Sequence, residues 1–167
     1  MNFFQRLETS VGDGFSGGRI RFSRVKDAED VEFAAEKCRI SDEQRSFVRS
    51  GGYCLGMAYI KPENEYPCII RNENGERIGF IDLRKRSGEV EGLSFVCFLD
   101  VGFQGKGYGY EAISLALKIF GEILPEFPVI LAVKRKNTYA RGLYEKLGFV
   151  NRGDASESEI LYIKDGK

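Results

Sequence analysis

The sequence predicts a single α/β domain in three layers, with a mixed sheet that is antiparallel in its first half and parallel at its centre. Three observations carry this. Asn74-Gly75 sits between the apolar runs 68–71 and 78–84, and Asn-Gly is a strong short-range hairpin signal because both residues tolerate positive φ. Residues 93–99 and 129–133 are almost wholly apolar, as strands buried on both faces are. The helical pattern between them makes the strand–helix–strand order of a parallel pair. Patterns at 149–150 and 160–163, joined by the polar turn 151–158, then close the sheet with an antiparallel pair.

Residues 1–18 read as a flexible appendage, with four glycines among residues 11–18, and 19–167 as the domain proper. Arg19 to Val25 alternates as a first strand. Asp27 then caps a helix whose apolar positions are Val31, Ala34, Ala35 and Cys38. Ser41-Asp42-Glu43 opens a short helix that ends near Ser50-Gly51-Gly52. Residues 53–66 fit either a strand or a lid-like loop before Pro62 stops the pattern. After the hairpin, Ser87-Gly88 turns the chain into 93–99. In the next helix Ala112, Leu115, Ala116 and Ile119 recur at helical spacing, with Phe120 and Ile123 widening the stripe. A last helix carries Ala140, Leu143, Tyr144 and Leu147 on one face and stops at Gly148.

Bulk properties exclude several classes. No apolar run approaches the ~20 residues of a membrane span, and the start lacks the apolar core and cleavage site of a secretory signal. A cytoplasmic protein without membrane partners is expected. Twenty-five basic and 25 acidic side chains cancel, which removes a net electrostatic case for nucleic acid. There is no histidine, and Cys38, Cys54, Cys68 and Cys97 form no Cys-x-x-Cys pair, so neither a zinc site nor a His-based triad is expected.

The chemistry concentrates at Gln104-Gly105-Lys106-Gly107-Tyr108-Gly109, which ends one apolar strand and opens a helix. Glycines let backbone approach a ligand, and the first N–H groups of a helix lack partners and face anions with the positive end of its dipole. A Walker A string is absent, and the dinucleotide spacing fails at Tyr110. The remaining Gln-x-x-Gly-x-Gly resembles the coenzyme A pyrophosphate loop of the GNAT superfamily of N-acetyltransferases. A second match, Asn137-x-x-Ala140-x-x-Leu143-Tyr144-Glu145-Lys146-Leu147-Gly148-Phe149, follows one strand later, in that family's order. The resemblance covers residues 19–163 and is strongest over 68–150.

What the resemblance implies is an acetyl-CoA-dependent enzyme whose two central parallel strands splay apart and admit the pantetheine arm of the coenzyme. Cys97 and Leu99 would then offer backbone contacts, and the Leu99 N–H would face the oxyanion of a tetrahedral intermediate. Gln104 to Gly109, Lys106 and Tyr108 included, would hold the pyrophosphate. Asn137 is both a helix cap and an expected pantetheine contact. Tyr144, at the position of the family's acid, would protonate the departing thiolate: a phenol near pKa 10 is protonated at neutral pH and lies not far above a thiol near 8.5.

The general base is less defined, because the family's glutamate position falls on Leu93. Glu91, two residues earlier, and Asp82, on the neighbouring strand, are the candidates, with a water relay as a third route. The cluster Lys134-Arg135-Lys136 and Lys106 could hold phosphates. The acceptor is expected to be a primary amine, attacking directly in a ternary complex, on a small molecule rather than a protein; a homodimer is allowed. Acidic Glu29, Asp30, Glu32, Glu36, Glu63 and Glu65 fit either a cationic acceptor such as a polyamine or a solvated face. A protein acetyltransferase and a non-catalytic acyl-CoA-binding module remain as alternatives.

Overall fold

An eight-stranded sheet in the order β1-β2-β3-β4-β5-β6-β8-β7 organises the computed structural model, which describes residues 1–11 and 14–167. In chain order the elements are α1 (Phe3–Val11), β1 (Phe15–Gly17), β2 (Ile20–Arg24), α2 (Ala28–Glu32), α3 (Asp42–Phe47) and α4 (Gly51–Ile60). They continue with β3 (Glu65–Asn72), β4 (Arg77–Arg86), β5 (Gly92–Leu99), α5 (Tyr108–Ile123), β6 (Val129–Lys134), α6 (Thr138–Lys146), β7 (Val150–Ser156) and β8 (Glu159–Lys164). Every strand pair is antiparallel except β5–β6. Among the described residues no helix is long and apolar enough to cross a membrane.

Side chains alternate across β3–β5 because successive Cβ atoms leave opposite faces of a strand. Cys68, Ile70, Ile81, Leu83, Phe95 and Leu99 pack with Phe3 and Leu7 of α1 and with the apolar stripe of α5. Ile69, Phe80, Val96 and Phe98 pack on the other face against Ala34, Cys38 and Cys54. Covering both faces is what makes these strands read as continuous apolar runs.

β5 and β6 share one ladder position, Leu93↔Val129, marked by Leu93 N–H donating to Pro128 O at 2.8 Å. Gly92 permits this closeness, since a Cβ there would stand 2.8 Å from Ile130 Cδ1 and 2.9 Å from Pro128 O. Beyond it the strands diverge, as expected. At the far end Asp100 N–H donates to Ile78 O on β4. Because alternate residues point to opposite edges, the N–H groups of Cys97 and Leu99 face the gap towards β6.

Three expectations need correction. The stretch 1–18 is no loose appendage where it is described: α1 buries Leu7 completely and β1 extends the sheet. Asn2 and Gln5 start α1 by capping each other reciprocally, with Gln5 N–H to Asn2 Oδ1 at 2.8 Å and Asn2 N–H to Gln5 Oε1 at 2.9 Å. Gly12 and Asp13 of the glycine-rich connection lie outside the described residues. The helix after Asp27 holds α geometry only to Glu32 and continues as a π-helical turn, Phe33–Lys37, leaving Val31 exposed. Most of 53–66 is neither strand nor loop but helix α4, capped by Ser50 Oγ accepting from Tyr53 N–H at 3.1 Å. Gly51 is not a stop signal there; a Cβ would lie 2.0 Å from Ala34 O, so contact with the preceding turn demands glycine.

Candidate active site

The glycine loop is built from Asp100 onward. Its carboxylate accepts from Gly102 N–H at 2.9 Å, shaping a turn over Val101–Phe103, and takes the Arg39 guanidinium on both oxygens at 2.9 and 3.1 Å. This pairing pulls the Asp100 carboxyl down to about 2, with the Arg39 hydrogen bond as the main cause. Gly105 and Gly107 then adopt φ of +71° and +86°, a region L side chains avoid, which explains glycine at both. The first intrahelical bond of α5 is Glu111 N–H to Gly107 O, so the N–H groups of Tyr108 to Tyr110 are free of the helix ladder.

A cleft of about 370 Å³ opens at this point. Cys97, Phe98 and Leu99 form its floor, and Gln104, Gly105, Gly107 and Gly109 one wall. Lys136 to Ala140, Leu143 and Tyr144 form the facing wall, and Glu43, Gln44 and Phe47 of α3, with Val48 just after it, roof it. The structure therefore brings together Cys97, Leu99, Gln104, three loop glycines, Asn137 and Tyr144. Gln104 does not point outward: its amide donates to Leu99 O at 2.8 Å and Gln44 Oε1 at 3.0 Å, tying loop, strand and α3. Asn137 caps α6 through Oδ1 to Ala140 N–H at 3.3 Å while lining the cleft.

Tyr144 packs against Phe95, Phe149 and Tyr162 at ring distances of 6.0, 5.5 and 6.4 Å. Burial first, and then the neighbouring Cys97, push its phenol above the ordinary tyrosine value, so it stays protonated through the neutral range. Its hydroxyl has no hydrogen-bond partner among the described residues, and Tyr144 lines the cleft. Burial also raises Cys97 to about 12, which makes it a thiol and not a nucleophile.

Other expected residues lie elsewhere. Lys106 folds back, donating to Gly102 O at 2.9 Å, and does not line the cleft. The Tyr108 ring is buried and its hydroxyl reaches Glu73 at 3.2 Å, leaving only its backbone to the loop. Of the basic cluster, Lys134 pairs with Glu159 and Arg135 with Asp154, and only Lys136 lines the cleft.

Neither carboxylate expected as base reaches the cleft. Glu91 is exposed, just before β5 and eight residues from Leu99, or about 26 Å by strand rise. Asp82 is fully buried on the face of the sheet that α4 covers, accepting Tyr66 N–H at 3.1 Å. Burial, and then Glu65 beside it, raise Asp82 to about 9. A protonated acid cannot take a proton from an amine. Glu65 itself is held by Arg84 at 2.7 and 3.2 Å.

Contacts that local pattern could not reveal complete the site. Arg39 and Gln44 meet the loop from 61 and 60 residues away. Ser41-x-x-Gln44 does carry a readable signal, the capping box that orients α3.

A family model, the acetyltransferase (GNAT) domain, matches residues 19–150. The chain is 25% identical over 150 residues to spermine/spermidine N(1)-acetyltransferase of Bacillus subtilis (strain 168), covering 82% of this chain and 93% of that protein. Its fold matches spermidine N-acetyltransferase from Vibrio cholerae, solved with CoA and spermine, at a TM-score of 0.70 and 19% identity, over 88% and 94% of the two chains. Ribosomal-protein-S5-alanine acetyltransferase from Vibrio fischeri matches at 0.63 and 17%, over 92% and 97%. The splayed strands, the loop of free amides and the family match over most of the chain agree: this chain belongs to the GNAT acetyltransferases.

Proposed function

We propose that the protein transfers the acetyl group of acetyl-CoA to a primary amine of a polyamine, by direct attack in a ternary complex. One observation carries this reading: the unpaired edge of β5, three glycines of the loop and Tyr144 border one cleft. In this reading the N–H groups around Gly105–Gly109 hold the pyrophosphate, assisted by Lys136. The gap-facing backbone of Cys97 and the side-chain amide of Asn137 hold the pantetheine. Leu99 N–H, a fixed dipole, stabilises the oxyanion that forms as the amine attacks. Tyr144 gives its proton to the leaving sulfur, so that neutral thiol departs.

The amine must lose a proton before or during attack. With Glu91 distant and Asp82 protonated, that proton leaves through water at the mouth of the cleft. Among the described residues Glu43 is the only carboxylate lining the cleft, which suits an acceptor with a second positive charge. The polyamine acceptors named for the Bacillus subtilis relative agree with this choice.

The test is coenzyme A release with spermidine, spermine, monoamines and N-terminal peptides, in wild type and Glu43→Gln. Polyamines should be preferred, and Glu43→Gln should raise KM for spermidine about five-fold or more, the worth of a charge-assisted contact, without changing KM for a monoamine. Turnover of peptides alone would replace the acceptor assignment by a protein N-terminus.

A further inference from the structure

Arg19, in the turn between β1 and β2, is tied to the glycine loop although 87 residues separate it from Lys106. Its Nη2 donates to Lys106 O at 2.8 Å, its Nε donates to Glu111 Oε1 at 2.7 Å, and its backbone N–H donates to Glu111 Oε2 at 2.8 Å. The guanidinium also lies 4.4 Å from the centre of the Tyr108 ring. It is thus held on two sides, by the carboxylate of the first turn of α5 and by an aromatic face. Gly107 is crowded by it as well, since a Cβ there would stand 3.2 Å from Nη2.

The consequence follows from the planar trans peptide, whose C=O and N–H point in opposite directions. Arg19 holds the carbonyl of the Lys106–Gly107 peptide on its own side. The Gly107 N–H of that peptide therefore points away from Arg19. Gly107 lines the cleft and sits at φ +86°, where glycine's freedom would also permit a flipped peptide. A flip would present a carbonyl oxygen where an anion is to bind.

We infer that Arg19 is a positioning residue for coenzyme binding, which fixes the Lys106–Gly107 peptide so that the loop offers N–H groups and not a carbonyl to the pyrophosphate. The inference rests on the coenzyme reading of the cleft. It makes the β1–β2 turn part of the phosphate site without any contact to the reacting atoms.

The experiment compares acetyl-CoA with S-acetylpantetheine, which lacks the pyrophosphate, in wild type, Arg19→Ala, Arg19→Lys and Glu111→Gln, with thermal melts confirming folding. Arg19→Ala should raise KM for acetyl-CoA about ten-fold, the effect of losing one well-made charge-assisted contact, with kcat within about two-fold. Its kcat/KM for acetylpantetheine should not change. Arg19→Lys should recover part of the loss, and Glu111→Gln should reproduce it more weakly. Equal losses with both donors, or no loss with either, would overturn the inference. Should wild type turn over no amine, the same ratio is read from calorimetric affinities for coenzyme A and pantetheine, so the loop is judged separately from the acceptor. A wild-type protein that bound no coenzyme A would overturn both.

Discussion

Replacing Tyr144 by Phe removes one oxygen and leaves the ring packed against Phe95, Phe149 and Tyr162. The lost hydroxyl has no partner among the described residues, so no internal hydrogen bond is broken. Unfolding free energy should therefore stay within about 1 kcal/mol of wild type. The rate should not be spared. Loss of a positioned general acid costs roughly 10²–10⁴-fold, or about 2.7–5.4 kcal/mol of barrier. KM for acetyl-CoA should hold, because in the proposed role the hydroxyl would act on the sulfur only as the bond breaks. The raised pKa adds a check: wild-type kcat should show no falling limb near pH ~10, where an ordinary tyrosine would ionise. The assay is single-turnover and steady-state coenzyme A release, with a protein-only blank for the four cysteines, beside urea denaturation. A Phe variant within about three-fold of wild type in single turnover would refute the acid role against the 10²-fold minimum. A matching drop in stability would refute the claim that the hydroxyl is structurally idle.

Two further outcomes are expected. Asp82 holds at about 9 a proton that an unfolded aspartic acid releases near pH ~3.9, so its stabilising share is complete below the lower value and is lost as pH rises through the upper. Asp82→Asn, whose amide can donate to Glu65 at any pH, should gain on wild type in urea melts by a margin that widens from about pH 5 to about pH 9; parallel curves would contradict this. Lys136→Ala should raise KM for acetyl-CoA about five-fold, whereas Lys106→Ala, whose ammonium rests on Gly102 O, should change it less than about two-fold. The reverse order would place the phosphate cation on the loop.

Elements with a local period were legible. Strands β5 and β6 and helices α5 and α6 carry their signals within a few residues, and so do the Gln104–Gly109 loop, Asn137 and Tyr144. Helix α4 was not, because it is apolar on all sides and opens with two glycines, one of them there for Ala34 O. Helix α1 hid behind a short Asn–Gln capping exchange and a glycine-rich tail. At the site, sequence reading put Asp82 on a strand and Glu91 two residues ahead of Leu93, but could not say which end or face the cleft would use. Arg19, Arg39 and Gln44 act through tertiary contacts, for which a single sequence holds no local mark.

Eight strands paired along their length would behave as one mechanical plate. With a single rung at Leu93↔Val129, β1–β5 and β6–β8 are instead two plates meeting at a fulcrum, and Gly92 is the pin that lets them close there. The width of the slot is then a lever arm, set by the helices α5 and α6 that bridge the plates and not by backbone ladders. Volume changes at buried positions such as Ala116 or Ile119 on α5 should accordingly register as changes in slot geometry, in residues outside the cleft lining.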